Sequence, residues 1–258
     1  MGKITAIILD WAGTAVDYGS FAPVEAFARA FEAFGIAPTL DEIRAPMGME
    51  KRAHIAQMLA EKRLAALWEE RHGRPHTQGD IDQIYAKFET ALFASLRSFA
   101  DPLPGVLETA AWLRAQKIKI GSTTGYTKAM MDVVVPLAKE KGYAPDCIVC
   151  PEDVGAGRPA PYMLWRNLEQ LRVPSICEVL KIGDTAADMQ EAKNAGCRCV
   201  GVLKGSNMLG LSMEEFQALS IGQQQVLFSE AKRNYLAAGA DYVIEDITQL
   251  PKLIKRIG

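Results

Sequence analysis

The sequence predicts an α/β fold in which a Rossmann-like parallel sheet carries an inserted all-helical segment. Short apolar strands alternate with single helices from residue 101 onward, which is typical of right-handed βαβ units. Another apolar strand, residues 4–9, precedes this alternation and belongs to the same sheet. Residues 20–100 show helical spacing and no convincing strand. We therefore expect a core domain of residues 1–19 and 101–258 and a helical cap domain of residues 20–100.

The expected elements follow in order along the chain. In the insertion, helices are predicted around a stripe of phenylalanines and over 41–45, 50–70 and 79–97. The stripe, Phe27, Phe31 and Phe34, fits either the interior of the protein or a contact between two copies of the chain. Further strands are predicted at 118–122, 147–150, 179–182, 199–202 and 242–244. Helices are predicted at 105–116, 128–141, 161–172, 186–195 and 222–238, with a last helix after the final strand.

The composition limits the classes of function. The 258 residues are 49% hydrophobic and 23% charged, as in soluble globular proteins. A net charge of −2 gives no electrostatic case for binding nucleic acid or an anionic membrane surface. No apolar run approaches the roughly 20 residues that span a bilayer, and the chain opens directly into a strand without a signal peptide. We therefore expect a cytoplasmic protein whose five cysteines are free thiols.

Polar residues follow several predicted strands at the points where these strands end. Asp10 follows the first strand, Thr124 the second and Asp184 the fourth. Asp188 comes four residues after Asp184, on the same face of the following helix, and Arg158 lies in a loop of the core. The carboxyl ends of parallel strands share one edge of the sheet, where such folds bind ligands. Two close carboxylates need a compensating cation, for which Arg158 and Mg²⁺ are the candidates.

The run Asp10-Trp11-Ala12-Gly13-Thr14, with these residues in this order, resembles the haloacid dehalogenase superfamily over nearly the whole chain. The resemblance implies that Asp10 attacks phosphorus and that Mg²⁺ is held by Asp10, Asp184 and the backbone carbonyl of Ala12. It also implies that Thr124 and Arg158 stabilise the phosphoryl charge and that Asp188 supports the site. Arg158 stands where Lys is commoner, and an arginine stays charged at any relevant pH.

One position departs from the superfamily pattern and restricts the leaving groups that the site can expel. Ala12 replaces the second Asp of the motif, which protonates the leaving group in phosphatases of the superfamily. A methyl group cannot act as an acid, so the leaving group has to depart without that proton. A protonated imine allows this, because the departing electrons form an enamine, and such chemistry needs a lysine. Lys51 opens a helix after a loop with Pro46 and Gly48, and the helix N-terminus and Arg52 are expected to favour its free amine.

The sequence also resembles one family within the superfamily, the phosphonoacetaldehyde hydrolases. The matching segments are 10–14 with 16–19, 46–48 with Lys51 and His54, 120–126, and 156–159. The resemblance implies that the carbon–phosphorus bond of phosphonoacetaldehyde is hydrolysed to acetaldehyde and phosphate, through a Lys51 Schiff base and an Asp10 aspartyl phosphate. It further implies a homodimer through the cap helices. The residues that it assigns to substrate binding are Ser20, Met47, Gly48, His54 and Tyr126.

Two departures from the family pattern and two other interpretations stay open at this point. Ala15 stands where a second Thr is expected, and Ser20 stands where some members carry Cys. The chain could instead hydrolyse a small phosphate ester with a good leaving group, although Lys51 would then have no role. It could also be an inactive member that binds a phosphorylated ligand or a partner, although the intact Asp10 argues against that. His54 could be an ordinary exposed helix residue.

Overall fold

A computed structural model describes residues 3–257 of the chain. The strands are β1 Ala6–Leu9, β2 Lys119–Thr123, β3 Cys147–Val149, β4 Val179–Gly183, β5 Arg198–Val202 and β6 Tyr242–Ile244. They form a parallel sheet of six strands in the order β3-β2-β1-β4-β5-β6. After β1, the strands β2 and β3 add on one side of it, and β4, β5 and β6 then add on the other side. Such a reversal opens a crevice at the carboxyl ends of the central strands.

Helices cover both faces of the sheet. They are α1 Phe21–Glu32, α2 Leu40–Arg44, α3 Lys51–Ala60, α4 Lys62–His72, α5 Gln78–Ser95, α6 Val106–Ala115, α7 Lys128–Glu140, α8 Tyr162–Leu171, α9 Ala186–Ala195, α10 Met213–Ala218, α11 Ile221–Ala237 and α12 Leu250–Ile257. Ile7 and Leu9 of β1 share a core with α6, α7 and α12, whereas Ala6 and Ile8 share one with α8, α9 and α11. Because both faces are covered, the strands consist of continuous apolar runs.

The helices α1 to α5 all lie between β1 and β2 and are called the inserted helices below. Their apolar side chains join the core on one face of the sheet. Phe27 and Phe31 are fully buried within the chain, and Phe34 is half-buried. Phe27 and Phe31 therefore face the interior of the protein and are not available for a contact between two copies.

The segment 50–70 differs from the expected single helix. It forms α3 and α4, and Glu61 between them has an extended backbone with ψ 134°. The break lets both helices turn an apolar face inward, so that Met58 of α3 and Trp68 of α4 are buried. The short helix α10 is an addition that the hydrophobic spacing does not predict.

The parallel sheet with an all-helical insertion is confirmed. Residues 1, 2 and 258 of the expected core range lie outside the described residues. Over residues 3–257, no helix combines the length and the apolar character needed to cross a membrane.

Candidate active site

Neighbouring strand ends bring the motif residues together at one edge of the sheet. Asp10 directly follows β1, and Asp184 directly follows the adjacent β4. Trp11 fixes the turn after Asp10, because its indole N–H donates to the Ser122 hydroxyl at the end of β2 (2.9 Å). Gly13 then adopts a left-handed conformation with φ 81°, where any side chain would overlap the Asp184 carboxylate. The turn therefore brings the two carboxylates side by side.

A small pocket lies beside Asp10 at this edge. The core and the inserted helices both line it, with Asp10, Ala12, Ser20, Pro23, Met47, Gly48, Lys51, Thr124, Gly125, Tyr126, Arg158 and Thr185. Of the site residues expected from the sequence, only His54, Asp184 and Asp188 are outside this lining. The pocket has a volume of about 20 Å³, enough for about one water molecule. The inserted helices are therefore closed over Asp10.

Arg158 is a fully buried cation that contacts three carboxylates. Its Nη2 lies 2.7 Å from Oδ1 of Asp10, its Nη1 lies 3.0 Å from Oδ1 of Asp188, and its Nε lies 3.0 Å from Oε2 of Glu191. Nη2 also donates to the hydroxyl of Thr123 (2.7 Å). Burial alone would lower the pKa of Arg158, but the three carboxylates raise it, so the guanidinium remains charged.

Lys181 of β4 is a second buried cation in this cluster, and sequence reasoning missed it. Its Nζ lies 2.8 Å from Oδ1 of Asp188 and 3.5 Å from Oε2 of Glu191. It also donates to the hydroxyl of Thr123 (2.8 Å). Burial would raise the pKa of Asp188, but Arg158 and Lys181 hold it below its ordinary value.

The carboxylates of the site fit a divalent cation. One oxygen each from Asp10, Asp184 and Asp188 lies within 4.8 Å of the others. Burial, together with the charges of Asp10 and Asp188, raises the pKa of Asp184 well above its ordinary value, which marks a carboxylate in need of a positive partner. These three carboxylates and Glu191 outnumber Arg158 and Lys181, the two cations that form salt bridges with the cluster, by two charges. One divalent cation that prefers hard oxygen ligands would balance these two charges.

Lys51 enters the pocket from the first turn of α3, and only 2% of its surface is exposed. Its Nζ lies 5.2 Å from the ring centroid of Tyr126 and 5.8 Å from that of Phe27. Lys51 forms no salt bridge within the part of the chain that the structure describes. Its amine therefore lies against aromatic rings rather than against a carboxylate.

The pKa of the Lys51 ammonium is lowered to about 8. Burial is the largest cause, the charge of Arg158 adds to it, and the charge of Asp10 opposes it. The contribution expected from Arg52 is wrong, because the Arg52 side chain points away and pairs with Asp82, both of them about half-exposed. The low pKa thus follows from the closed pocket rather than from the neighbour in sequence.

His54 lies behind Lys51 rather than in the pocket lining. It is fully buried, so its interpretation as an exposed helix residue is wrong. Nε2 donates to the carbonyl of Ile43 (2.9 Å), and the ring stacks on Phe27 with centroids 3.9 Å apart. Burial and the charge of Lys51 lower the pKa of His54 well below its ordinary value. The neutral ring therefore supports the aromatic wall behind the lysine.

The loop 46–49 of the inserted helices lies directly on the core. Gly48 has φ 90°, and a side chain there would overlap the Thr185 hydroxyl. A side chain on Gly125 would overlap the carbonyl of Met49, 2.7 Å from the position of its Cβ. Both glycines are therefore required for this close approach, which encloses the pocket.

Further contacts between the core and the inserted helices were not expected from the sequence. Arg44 of α2 donates to the side chain of Asn207 (2.9 Å), whose backbone N–H donates to Asp184 (2.8 Å). The carboxylate of Asp17 accepts hydrogen bonds from the first N–H groups of α1, including that of Phe21 (2.9 Å). These contacts join residues that are far apart in the chain or lie in an irregular turn, so no periodic sequence pattern predicts them.

A larger cavity, of about 330 Å³, lies on the other side of the turn after β1. Its walls include Leu103 and Phe216, and its charged residues, Lys204 and Asp246, pair with each other at 3.3 Å. The pocket at Asp10, by contrast, combines a carboxylate with an amine that has no salt-bridge partner among the described residues. We therefore assign the chemistry to the smaller pocket.

Comparison with known proteins first defines a class. The family model of haloacid dehalogenase-like hydrolases matches residues 4–196, and a second model, of HAD-hydrolase-like proteins, matches residues 155–250. Together with the fold and the carboxylates at the strand ends, these matches define a hydrolase with the haloacid dehalogenase fold.

More similar relatives define the family. A phosphonoacetaldehyde hydrolase of Parabacteroides distasonis is 47% identical and covers 100% of this chain and 98% of its own length. One of Bacillus cytotoxicus is 44% identical, with 99% and 97% covered. The crystal structure of a phosphonoacetaldehyde hydrolase-like protein from Oleispira antarctica superposes with a TM-score of 0.96 at 38% identity, over 99% of this chain and 92% of that one. The chain belongs to the phosphonoacetaldehyde hydrolase family.

Proposed function

We propose that this hydrolase cleaves the carbon–phosphorus bond of phosphonoacetaldehyde, which its relatives are named for, and releases acetaldehyde and phosphate. One observation carries the proposal. Lys51 and Asp10 line the same closed pocket, and Ala12 takes the place of the acid beside them. A nucleophile, an amine of low pKa and the lack of an acid fit a reaction in which the leaving group is an enamine rather than an alkoxide.

The reaction begins at Lys51. A pKa of about 8 leaves a useful fraction of the lysine as free amine near neutral pH. The amine adds to the aldehyde carbon and loses water, which forms an imine. Once protonated, the imine nitrogen can accept the electron pair that the phosphorus–carbon bond releases.

Asp10 then attacks phosphorus in line with the carbon–phosphorus bond. The electron pair of this bond forms the double bond of an enamine and neutralises the iminium, while Asp10 becomes an aspartyl phosphate. Arg158, 2.7 Å from the Asp10 carboxylate, orients the nucleophile and offsets phosphoryl charge. Thr124 accepts a hydrogen bond from the N–H of Tyr126 (3.0 Å), so its own hydroxyl proton can be donated to a phosphoryl oxygen.

Hydrolysis completes the cycle. Water attacks the aspartyl phosphate, which releases phosphate and restores the carboxylate of Asp10. The enamine takes up a proton at carbon, and hydrolysis of the resulting imine releases acetaldehyde and restores Lys51. The balanced overall reaction consumes one water molecule and leaves the chain unchanged.

A metal ion completes the site. Asp10, Asp184 and the backbone carbonyl of Ala12 would hold Mg²⁺, with Asp188 as a supporting residue. The chemistry that Mg²⁺ supplies when bound is neutralisation of phosphoryl charge, which lets a carboxylate approach an anionic phosphonate.

The inserted helices complete the proposed arrangement. Residues 20–100 act as a cap over a core of residues 1–19 and 101–258, and Ser20, Met47, Gly48 and Tyr126 contact the substrate. A pocket of about 20 Å³ is too small for phosphonoacetaldehyde, so substrate entry requires the cap to open. His54 keeps the aromatic wall behind Lys51 in place. A homodimer through cap helices and a cytoplasmic location stay predictions.

A two-substrate assay tests the proposed function. The full chain with Mg²⁺ is incubated with phosphonoacetaldehyde and, separately, with ethyl phosphate. We expect acetaldehyde and phosphate in equal amounts from the first and negligible phosphate from the second, since an ethoxide leaving group needs the acid that Ala12 lacks. Faster release of phosphate from ethyl phosphate would overturn the proposal in favour of ester hydrolysis.

A further inference from the structure

Lys181 is a fully buried charge in the middle of the sheet that no step above uses. It belongs to β4, which is buried at every position, and its neighbours Leu180 and Ile182 are apolar core residues. Burying an ammonium group in such a place is costly unless nearby groups compensate it. A lysine at this position therefore has a specific use for its charge.

Lys181 and Arg158 contact the same three polar groups. Lys181 touches Asp188, Glu191 and the hydroxyl of Thr123. Arg158 touches the same three groups and, in addition, Asp10. The two cations thus share every partner except the carboxylate of Asp10.

Because Lys181 also compensates Asp188 and Glu191, the guanidinium of Arg158 can reach Asp10. Asp188 and Glu191 carry two negative charges that Lys181 and Arg158 balance together. With Lys181 present, Nη2 of Arg158 is available to Asp10 at 2.7 Å. Without it, Arg158 would be the only cation left to compensate Asp188 and Glu191, and its attraction to them would compete with its hold on Asp10.

We propose that Lys181 is a positioning residue of the reaction. It partly neutralises Asp188 and Glu191, so that Arg158 holds the carboxylate of Asp10 in the orientation of attack. The inference rests on the proposed function, because it concerns the same nucleophile. Lys181 acts on phosphoryl transfer alone, since neither Lys181 nor its partners Thr123, Asp188 and Glu191 line the pocket around Lys51. Imine formation therefore proceeds without Lys181.

The test separates the two steps in Lys181→Met, which keeps the length of the side chain and removes its charge. We measure kcat and KM for phosphonoacetaldehyde and, separately, the mass that borohydride fixes on Lys51. We expect kcat to fall roughly 100-fold, as when a reacting group is misplaced, with KM and the trapped mass close to those of the parent. Lys193→Met is the matched control, because Lys193 is a half-exposed lysine on α9 that pairs with Asp241 at the surface, and it should leave kcat unchanged.

Two further variants keep the inference falsifiable if Lys181→Met folds poorly. The double variant Lys181→Met/Glu191→Gln removes one charge of each sign and should recover much of the lost kcat. Thr123→Val removes the hydroxyl that both cations share, at nearly constant volume, and should lower kcat about tenfold with KM retained. Parental kcat in Lys181→Met or in Thr123→Val would overturn the inference, as would a loss of trapping in proportion to the loss of kcat. The activity of the parent reads out the proposed function separately, because the inference concerns only the ratio of variant to parent.

Discussion

The two sides of the pocket surround their charged groups differently: ion pairs surround Asp10, and aromatic rings surround Lys51. On the core side, Asp10 belongs to a cluster in which Arg158 and Lys181 face several carboxylates at distances of 2.7 to 3.5 Å. On the side of the inserted helices, Lys51 lies against the rings of Phe27 and Tyr126 and forms no salt bridge within residues 3–257.

The difference assigns a task to each half. A dense set of ion pairs holds a carboxylate in a fixed orientation, as a nucleophile that attacks phosphorus requires. An aromatic, closed surrounding disfavours the ammonium form and frees the amine that an aldehyde requires. Closure of the inserted helices brings the two environments together around a single pocket, so neither half alone can perform the proposed reaction.

Removing the proposed nucleophile should have the largest effect. Asp10→Ala should lower the release of phosphate by about four orders of magnitude or more, because no other group can form the phosphoryl intermediate. Borohydride with phosphonoacetaldehyde should still add mass to Lys51, since the lysine half is intact. The matched control is Asp82→Ala, a half-exposed carboxylate outside the site, which should retain parental activity. Loss of trapping in Asp10→Ala would contradict the separation of the two halves.

Removal of the proposed metal ion should affect the Asp10 side of the pocket and leave the Lys51 side intact. Exhaustive chelation should lower phosphate release by roughly a thousandfold, because two carboxylate charges then stay unbalanced beside an anionic phosphonate. Added Mg²⁺ should restore the rate, and trapping of Lys51 should persist throughout. Full activity after chelation, checked by elemental analysis of the protein, would exclude the metal from the account.

Much of this arrangement could be predicted from the sequence, and the exceptions have physical causes. Asp10, Thr124 and Asp184 were found because each follows a short apolar strand. Lys181 was missed, although a lysine within an apolar strand is a signal, and Glu191 was missed although it falls three residues after Asp188, on the same helix face.

Other features carry no local signal. The break at Glu61 depends on how α3 and α4 pack, since good helix formers surround it. The link between Arg44 and Asn207 joins residues that are 163 positions apart. The low pKa of Lys51 depends mainly on its burial in the closed pocket, so the sequence identified the residue but wrongly named Arg52 as a cause.

Restoring an acid at position 12 should have a moderate effect on both substrates. Ala12→Asp adds a carboxylate to the core half, where it could protonate an alkoxide leaving group. We expect a gain in hydrolysis of ethyl phosphate and a fall of about tenfold or more in cleavage of phosphonoacetaldehyde, because the new charge repels the phosphonate and competes for Arg158. Ala12→Asn, which adds similar volume without charge, is the control. Unchanged cleavage in Ala12→Asp would mean that the methyl group has no bearing on the leaving group.

The smallest expected effect is the pH dependence of imine formation at Lys51. Because the pKa of Lys51 is lowered, its free amine predominates above about pH 8. The rate of imine formation should rise with pH and level off above this value, and each unit below it should cost about tenfold. Rapid-quench borohydride trapping between pH 6 and 10 measures this rate directly. A midpoint near that of an ordinary lysine would show that the pocket does not desolvate the amine.

Borohydride trapping followed by peptide mass mapping tests the central claim most directly. The parent is mixed with phosphonoacetaldehyde and sodium borohydride, and Lys51→Met and Lys62→Met are treated in parallel, since Lys62 is an exposed lysine at the start of the next helix. We expect a reduced adduct on Lys51 in the parent and in Lys62→Met, and loss of both adduct and turnover in Lys51→Met. Turnover of phosphonoacetaldehyde with no adduct, or with the adduct on another lysine, would contradict this expectation.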